Sequence, residues 1–212
     1  GSLTINAPQL TLTEGLVFVS GNTTFSQANT VLRTAGGRLF LQGQVNAGGN
    51  TVTKIGANDV VLSHTDAATQ NNAGLWRVYG GILNARSATG AANPLGANAM
   101  VELNGGSTSY GLLLNTDGDG TNAAERITTY ANTTIRFGST LPVSSSDFVS
   151  SGASRIQTDR ILATNDDKTV VLGNLEIRGA LGSSFSYFLT SNATSLWIDG
   201  TTDFQRDWAF QA

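Results

Sequence analysis

The chain has 212 residues, of which 13% are charged, and a net charge of −3. That charged fraction is about half the usual value, and no basic run occurs anywhere, which argues against a nucleic-acid partner. The absence of cysteine excludes disulfides, thiolate metal sites and a cysteine nucleophile. No stretch reaches the ~20 apolar residues of a membrane span.

Polarity is supplied instead by Thr, Ser and Asn, which suit exposed strand faces and turns. Gly1-Ser2 reads as a cloning scar, and Leu3-Thr4-Ile5 already has a strand pattern. Short apolar runs closed by Gly or Asn-Gly predict strands at Leu10–Thr13, Leu16–Ser20, Thr30–Arg33, Arg38–Gln42, Thr51–Ile55, Val60–Ser63, Leu75–Tyr79 and Ile82–Ala85. Further strands are predicted at Met100–Leu103, Tyr110–Leu114, Ile127–Tyr130, Thr133–Phe137, Arg155–Gln157, Ile161–Ala163, Thr169–Leu172 and Leu175–Arg178. The last two are Tyr187–Thr190 and Leu196–Asp199. Leu39, Leu41 and Val45 alternate with Arg38, Gln42 and Gln44, the mark of a half-buried sheet.

Comparable units recur at about 20 residues, which predicts a stacked all-β solenoid rather than a domain around one centre. At that step the chain would form about ten coils and a rod on the order of 50 Å long. Three insertions, His64–Ala73, Thr116–Arg126 and Leu141–Ser154, interrupt the rhythm and are expected to emerge as loops on one side. Residues 3–184 are read as coils. Residues 185–212 carry Phe185, Tyr187, Phe188, Trp197, Phe204, Trp208 and Phe210, and are read as a terminal coil and cap. A stacking surface for sugar rings and a contact to a flanking domain are the competing readings of that aromatic segment.

One local motif has metal-ligand spacing. In Asn115-Thr116-Asp117-Gly118-Asp119-Gly120-Thr121, oxygen ligands alternate and Gly stands sixth, as in a calcium loop. The candidate ligands are Asn115, Asp117, Asp119, Thr121 and Glu125. Glu125 falls one place short of the usual bidentate acid, where Arg126 sits, and Asp-Gly-Asp-Gly is also an ordinary turn. His64 has no second His to share a metal and reads as a loop residue. Candidate paired carboxylates for glycoside cleavage are Asp159, Asp166, Asp167 and Glu176, near Arg155 and Arg160. Lys54 invites comparison with lysines that form isopeptide bonds, but its place beside a turn predicts an exposed side chain.

Between Gly48 and Gly106 the order of elements resembles the autotransporter-associated β-strand repeat of large bacterial surface proteins. The residues carrying the resemblance are Val52-Thr53-Lys54-Ile55-Gly56, Val60-Val61-Leu62-Ser63, Gly80-Gly81-Ile82-Leu83, Leu95-Gly96 and Val101-Glu102-Leu103-Asn104-Gly105-Gly106. A partial echo is Leu172-Gly173-Asn174-Leu175-Glu176-Ile177, and Trp76-Arg77-Val78-Tyr79 departs from the pattern. The resemblance implies a right-handed parallel β-helix in a secreted passenger or stalk, at the bacterial cell surface or outside the cell, with no catalytic residue to carry over.

The expected function is therefore a non-enzymatic spacer or adhesive module of a large exported bacterial protein. Its expected partners are flanking domains and a cell-surface glycan or protein, with no cofactor beyond a structural calcium. Two alternatives stay open: a trimeric phage tail-fibre or tailspike segment binding a host receptor, and a polysaccharide-cleaving β-helix enzyme.

Overall fold

The computed structural model describes residues 1–63, 74–87, 93–96, 98–103, 111–116, 127–137, 154–161, 169–177, 185–190 and 194–204. Its first three strands are β1 (Leu3–Ile5), β2 (Gln9–Leu12) and β3 (Leu16–Val19). The next three, β4 (Thr23–Phe25), β5 (Asn29–Thr34) and β6 (Arg38–Leu41), repeat them one rung on. The third rung holds β7 (Val45–Asn46), β8 (Thr51–Ile55) and β9 (Val60–Leu62).

From there two described strands mark each rung. They are β10 (Leu75–Val78) and β11 (Leu83–Ser87), then β12 (Met100–Leu103) and β13 (Leu112–Thr116). β14 (Ile127–Phe137) and β15 (Ser154–Asp159) follow, then β16 (Thr169–Ile177) and β17 (Phe185–Thr190). β18 (Ser195–Ile198) and β19 (Thr202–Phe204) end the described chain.

Every one of these strands pairs in parallel with its counterpart one rung away. Among the described residues three sheets result: β1-β4-β7, then β2-β5-β8-β10-β12-β14-β16-β18 with β19 also on β16, and β3-β6-β9-β11-β13-β15-β17. Gln9 pairs with Val31, Leu16 with Arg38 and Thr23 with Val45, a step of 22 residues each time. The step later widens to 34 between Met100 and Thr134 and to 44 between Leu112 and Ile156. Among the described residues the second sheet is therefore eight levels deep, because the chain between strands takes up more residues than a uniform step of about 20 residues. Eight levels span on the order of 35 Å at ordinary strand spacing.

Alternation places one set of side chains between the sheets. In the second sheet the columns Val52–Trp76–Val101–Ile135–Leu175 and Val78–Leu103–Phe137–Ile177 point inward. In the third, Leu39–Val60–Leu83–Leu112–Ile156 and Leu41–Leu62–Ala85–Leu114 face them. These residues and Ile5, Phe25 and Val45 of the first sheet join a single buried apolar cluster. Trp76 is fully buried and meets the Phe25 ring edge-on, with centroids 6.2 Å apart. Its strand is thus core, although it departs from the repeat that the sequence resembles.

Thr51–Ile55 and Met100–Leu103 have the bounds expected from sequence, and the other predicted strands agree to within a few residues, except Ile161–Ala163, where Ile161 is a bend and the next two residues lie outside the described ones. Three differences have a physical cause. β4, β7 and β19 have only two or three residues, too few for a periodic signal. Ile127–Tyr130 and Thr133–Phe137 form one strand, since the register shift between Tyr130 and Thr134 does not interrupt pairing with β16. Leu172 and Leu175 likewise belong to one strand across Gly173-Asn174.

In chain order the insertions follow strands of two different sheets. Residues 64–73 and 117–126 follow third-sheet strands β9 and β13, and both segments lie outside the described residues. Residues 138–153 instead lie between β14 of the second sheet and β15 of the third.

Candidate functional site

The outward face of the second sheet carries a column of charge. Register places Arg77 beside Glu102, Glu102 beside Arg136, Arg136 beside Glu176 and Glu176 beside Asp203. Each lies one place from the inward column, so strand alternation turns it away from the core. Glu102 is nevertheless only 1% exposed. Arg77 Nε lies 3.2 Å from Glu102 Oε1 but outside hydrogen-bond direction, so the contact is electrostatic. The Tyr79 hydroxyl donates to the same oxygen at 3.1 Å.

Arg136 serves both carboxylates. Its guanidinium is 3.6 Å from Glu102 Oε2, and its Nε donates to Glu176 Oε2 at 2.7 Å. A buried carboxylate requires such partners, because desolvation otherwise costs several kcal/mol. Glu102 and Glu176 stand two levels apart, about 10 Å at ordinary strand spacing. Arg136 lies between the two carboxylates and contacts both.

A second polar group lies inside the molecule. Lys54 is fully buried and shares the inward column with Leu32 and Val78. The expectation of an exposed side chain is thus corrected. Val52 and Lys54 are two residues apart in one strand and must face the same side. The Lys54 Nζ donates to the carbonyls of Ile55 at 3.2 Å, Gly56 at 2.9 Å and Gly80 at 2.7 Å. Thr34 Oγ1 braces the same bend by donating to the Asn58 carbonyl at 2.6 Å and to that of Ile55 at 3.3 Å.

Burial pushes the Lys54 ammonium from 10.5 down to about 7, with the Asp59 carboxylate pulling it back up. The carbonyl acceptors also favour the charged form. Burial raises the Asp59 pKa, opposed by Arg38 and Lys54, and the Arg38 guanidinium lies 3.8 Å away. The three acceptors of the Lys54 ammonium are backbone carbonyls, not the asparagine or aspartate side chain that an isopeptide bond needs. Nearby, Asn58 Nδ2 donates to the Ala35 carbonyl instead. That arrangement gives no support to an isopeptide bond.

The first rung presents a third feature. Leu16 and Phe18 are 59% and 58% exposed, and Phe18 stacks on Phe40 at 4.5 Å. Val17 turns the other way and lines a cavity of about 330 Å³ with Leu3, Ile5, Leu10, Leu12 and Leu39. β3 is thus an edge strand apolar on both faces, the composition of a parallel strand normally covered on each side.

The other sequence candidates scatter. Asn115 lies in β13, where its Nδ2 donates to Asn84 Oδ1 at 3.3 Å. Asp117, Asp119, Thr121 and Glu125 lie outside the described residues, as do His64, Asp166 and Asp167. Among the described residues no group of three or more His, Cys, Asp or Glu is placed to hold a metal. Asp159 Oδ1 accepts from the Arg160 amide at 2.8 Å, while Glu176 joins the charge column. Of the C-terminal aromatics, Trp197 is 56% exposed on β18, Phe204 belongs to β19, and Trp208 and Phe210 lie outside the described residues. β17, which holds Phe185, Tyr187 and Phe188, continues the third sheet.

Sequence reasoning missed Glu102 and placed Lys54 on the wrong side of its strand. Alternation marks Lys54 as inward. Glu102 gives no such signal, because its partners lie at irregular sequence distances. No protein-family model matches the chain, nor does any curated protein or solved structure.

Proposed function

We propose that this chain is a non-enzymatic module of a large exported bacterial surface protein, in which the parallel rungs close into a right-handed β-solenoid acting as a spacer or adhesive stalk. The observation that carries the reading is the ladder itself: eight levels of parallel strands in register over one continuous apolar interior. Such a body gains length by adding levels, each contacting only its neighbours. The charge column supports a mechanical role, since Glu102, Arg136 and Glu176 neutralise one another across levels. The repeat resemblance at Gly48–Gly106 supplies the surface-protein context. Contact with a glycan or surface protein is assigned to the chain between strands, where insertion leaves the ladder in register.

Size-exclusion chromatography coupled to small-angle X-ray scattering tests this reading. The expected result is an elongated monomer. A trimer would replace it with the phage-fibre reading, and a globular monomer of near-spherical dimensions would sink the solenoid.

A further inference from the structure

We propose that the bend formed by Ile55–Gly56 and Gly80–Gly81 is a cage for a monovalent cation, and that its resident is the tethered ammonium of Lys54, which fastens two successive rungs together. Three backbone carbonyls converge on Nζ at 2.7–3.2 Å, two from the rung that carries Lys54 and one, Gly80, from the next. Carbonyl oxygens pointed at one centre from several directions are how a protein replaces the hydration shell of a potassium-sized ion. Ammonium is of that size and carries the same charge, with the added demand of directed N–H bonds. It meets that demand here with three donors for three acceptors.

The wall is built around this occupant. Gly56 and Gly81 have φ values of +85° and +64°, a left-handed backbone that turns their peptide groups toward the cage. A Cβ on Gly81 would lie 2.6 Å from Nζ and 2.5 Å from the Gly56 carbonyl oxygen. Thr34 Oγ1 holds the bend from the preceding rung. Among the described residues, the charged groups facing this region are Asp59, which attracts the ammonium, and Arg38, which is paired with Asp59. The Gly56 carbonyl is only partly buried, so a small ion has a short path from solvent once the tether is removed.

Chemical rescue tests the cage. In mildly acidic buffer, Lys54→Ala should melt below the parent, and ammonium or potassium chloride should raise its melting temperature by roughly 3 °C or more over tetramethylammonium chloride at matched ionic strength. The parent, its cage filled, should show no such difference. Equal responses to all three salts in the variant would overturn the proposal.

A second measurement leaves Lys54 in place. The chain has two lysines, so ¹⁵N-lysine labelling gives two ammonium signals, assigned with Lys168→Arg. In mildly acidic buffer, where the amine is protonated, Lys54 should show slowly exchanging ammonium protons. Exchange at the rate of a free lysine would overturn the cage even if Lys54→Ala is unfolded.

Discussion

Arg136 Nε donates to Glu176 Oε2 at 2.7 Å across a single strand spacing, although 40 residues of chain separate the two. The same guanidinium faces Glu102 on its other side. Removing it leaves two carboxylates on one face without their shared cation. Arg136→Met should therefore destabilise the protein by about 3 kcal/mol, in the range for breaking a buried pair from one side. Urea unfolding followed by circular dichroism reads the loss. Glu176→Gln, which keeps Arg136 beside Glu102, should lose less than half as much, and equal losses would show that Arg136 is not the shared partner.

Leu103 separates the core reading from any other register of β12. It is fully buried between Val78 and Phe137 in the inward column. Leu103→Ala should cost about 2–5 kcal/mol through lost packing and a residual cavity. Leu103→Asp should abolish folding, because it adds an unpaired buried charge. A cooperative melt near the parent temperature for the aspartate variant would contradict the register.

Lys54 gives stability a pH dependence of definite sign. Its pKa is about 7 when folded against 10.5 in the free side chain, so between these values the unfolded chain binds more protons. Stability should accordingly rise as pH increases through this window. Lys54→Met should flatten the alkaline rise in denaturation midpoint. Asp59 acts oppositely in acid: its raised pKa contributes stability below 3.8 that is lost as pH climbs through its folded value. An unchanged alkaline slope in Lys54→Met would remove Lys54 as the source.

Two glycines with positive φ should respond differently to alanine. Gly15 has a φ of +79° but open space around its missing side chain, so Gly15→Ala should cost only about 1 kcal/mol of backbone strain. Gly81 has both the positive φ and backbone carbonyl oxygens at clashing distance. Gly81→Ala should cost at least twice as much, measured by thermal unfolding of the two variants side by side. Equal losses would mean that the bend at Gly81 yields easily.

Much of the architecture is legible in the sequence because its causes are local. The alternation of Leu39 and Leu41 with Arg38 and Gln42 fixes a strand face from four residues. Lys54 misleads because its charge argues for solvent while its position, two residues from Val52, argues for the core, and position wins. Glu102 is hidden for another reason: Arg77 and Arg136 lie 25 and 34 residues away, and only the register of β10, β12 and β14 makes them neighbours. The short strand β7 escapes notice because Val45-Asn46 contains no period. Its existence is imposed by pairing with β4.

The widening step between paired strands makes the ladder tolerant of cargo. Adjacent levels stay in register whether 22 or 44 residues intervene, and doubling a connection costs only about 0.6 kcal/mol of closure entropy. A foreign sequence spliced between β13 and β14 would thus leave the rungs above and below hydrogen-bonded to each other. Connections of different length and chemistry are thus compatible with one unchanged strand spacing.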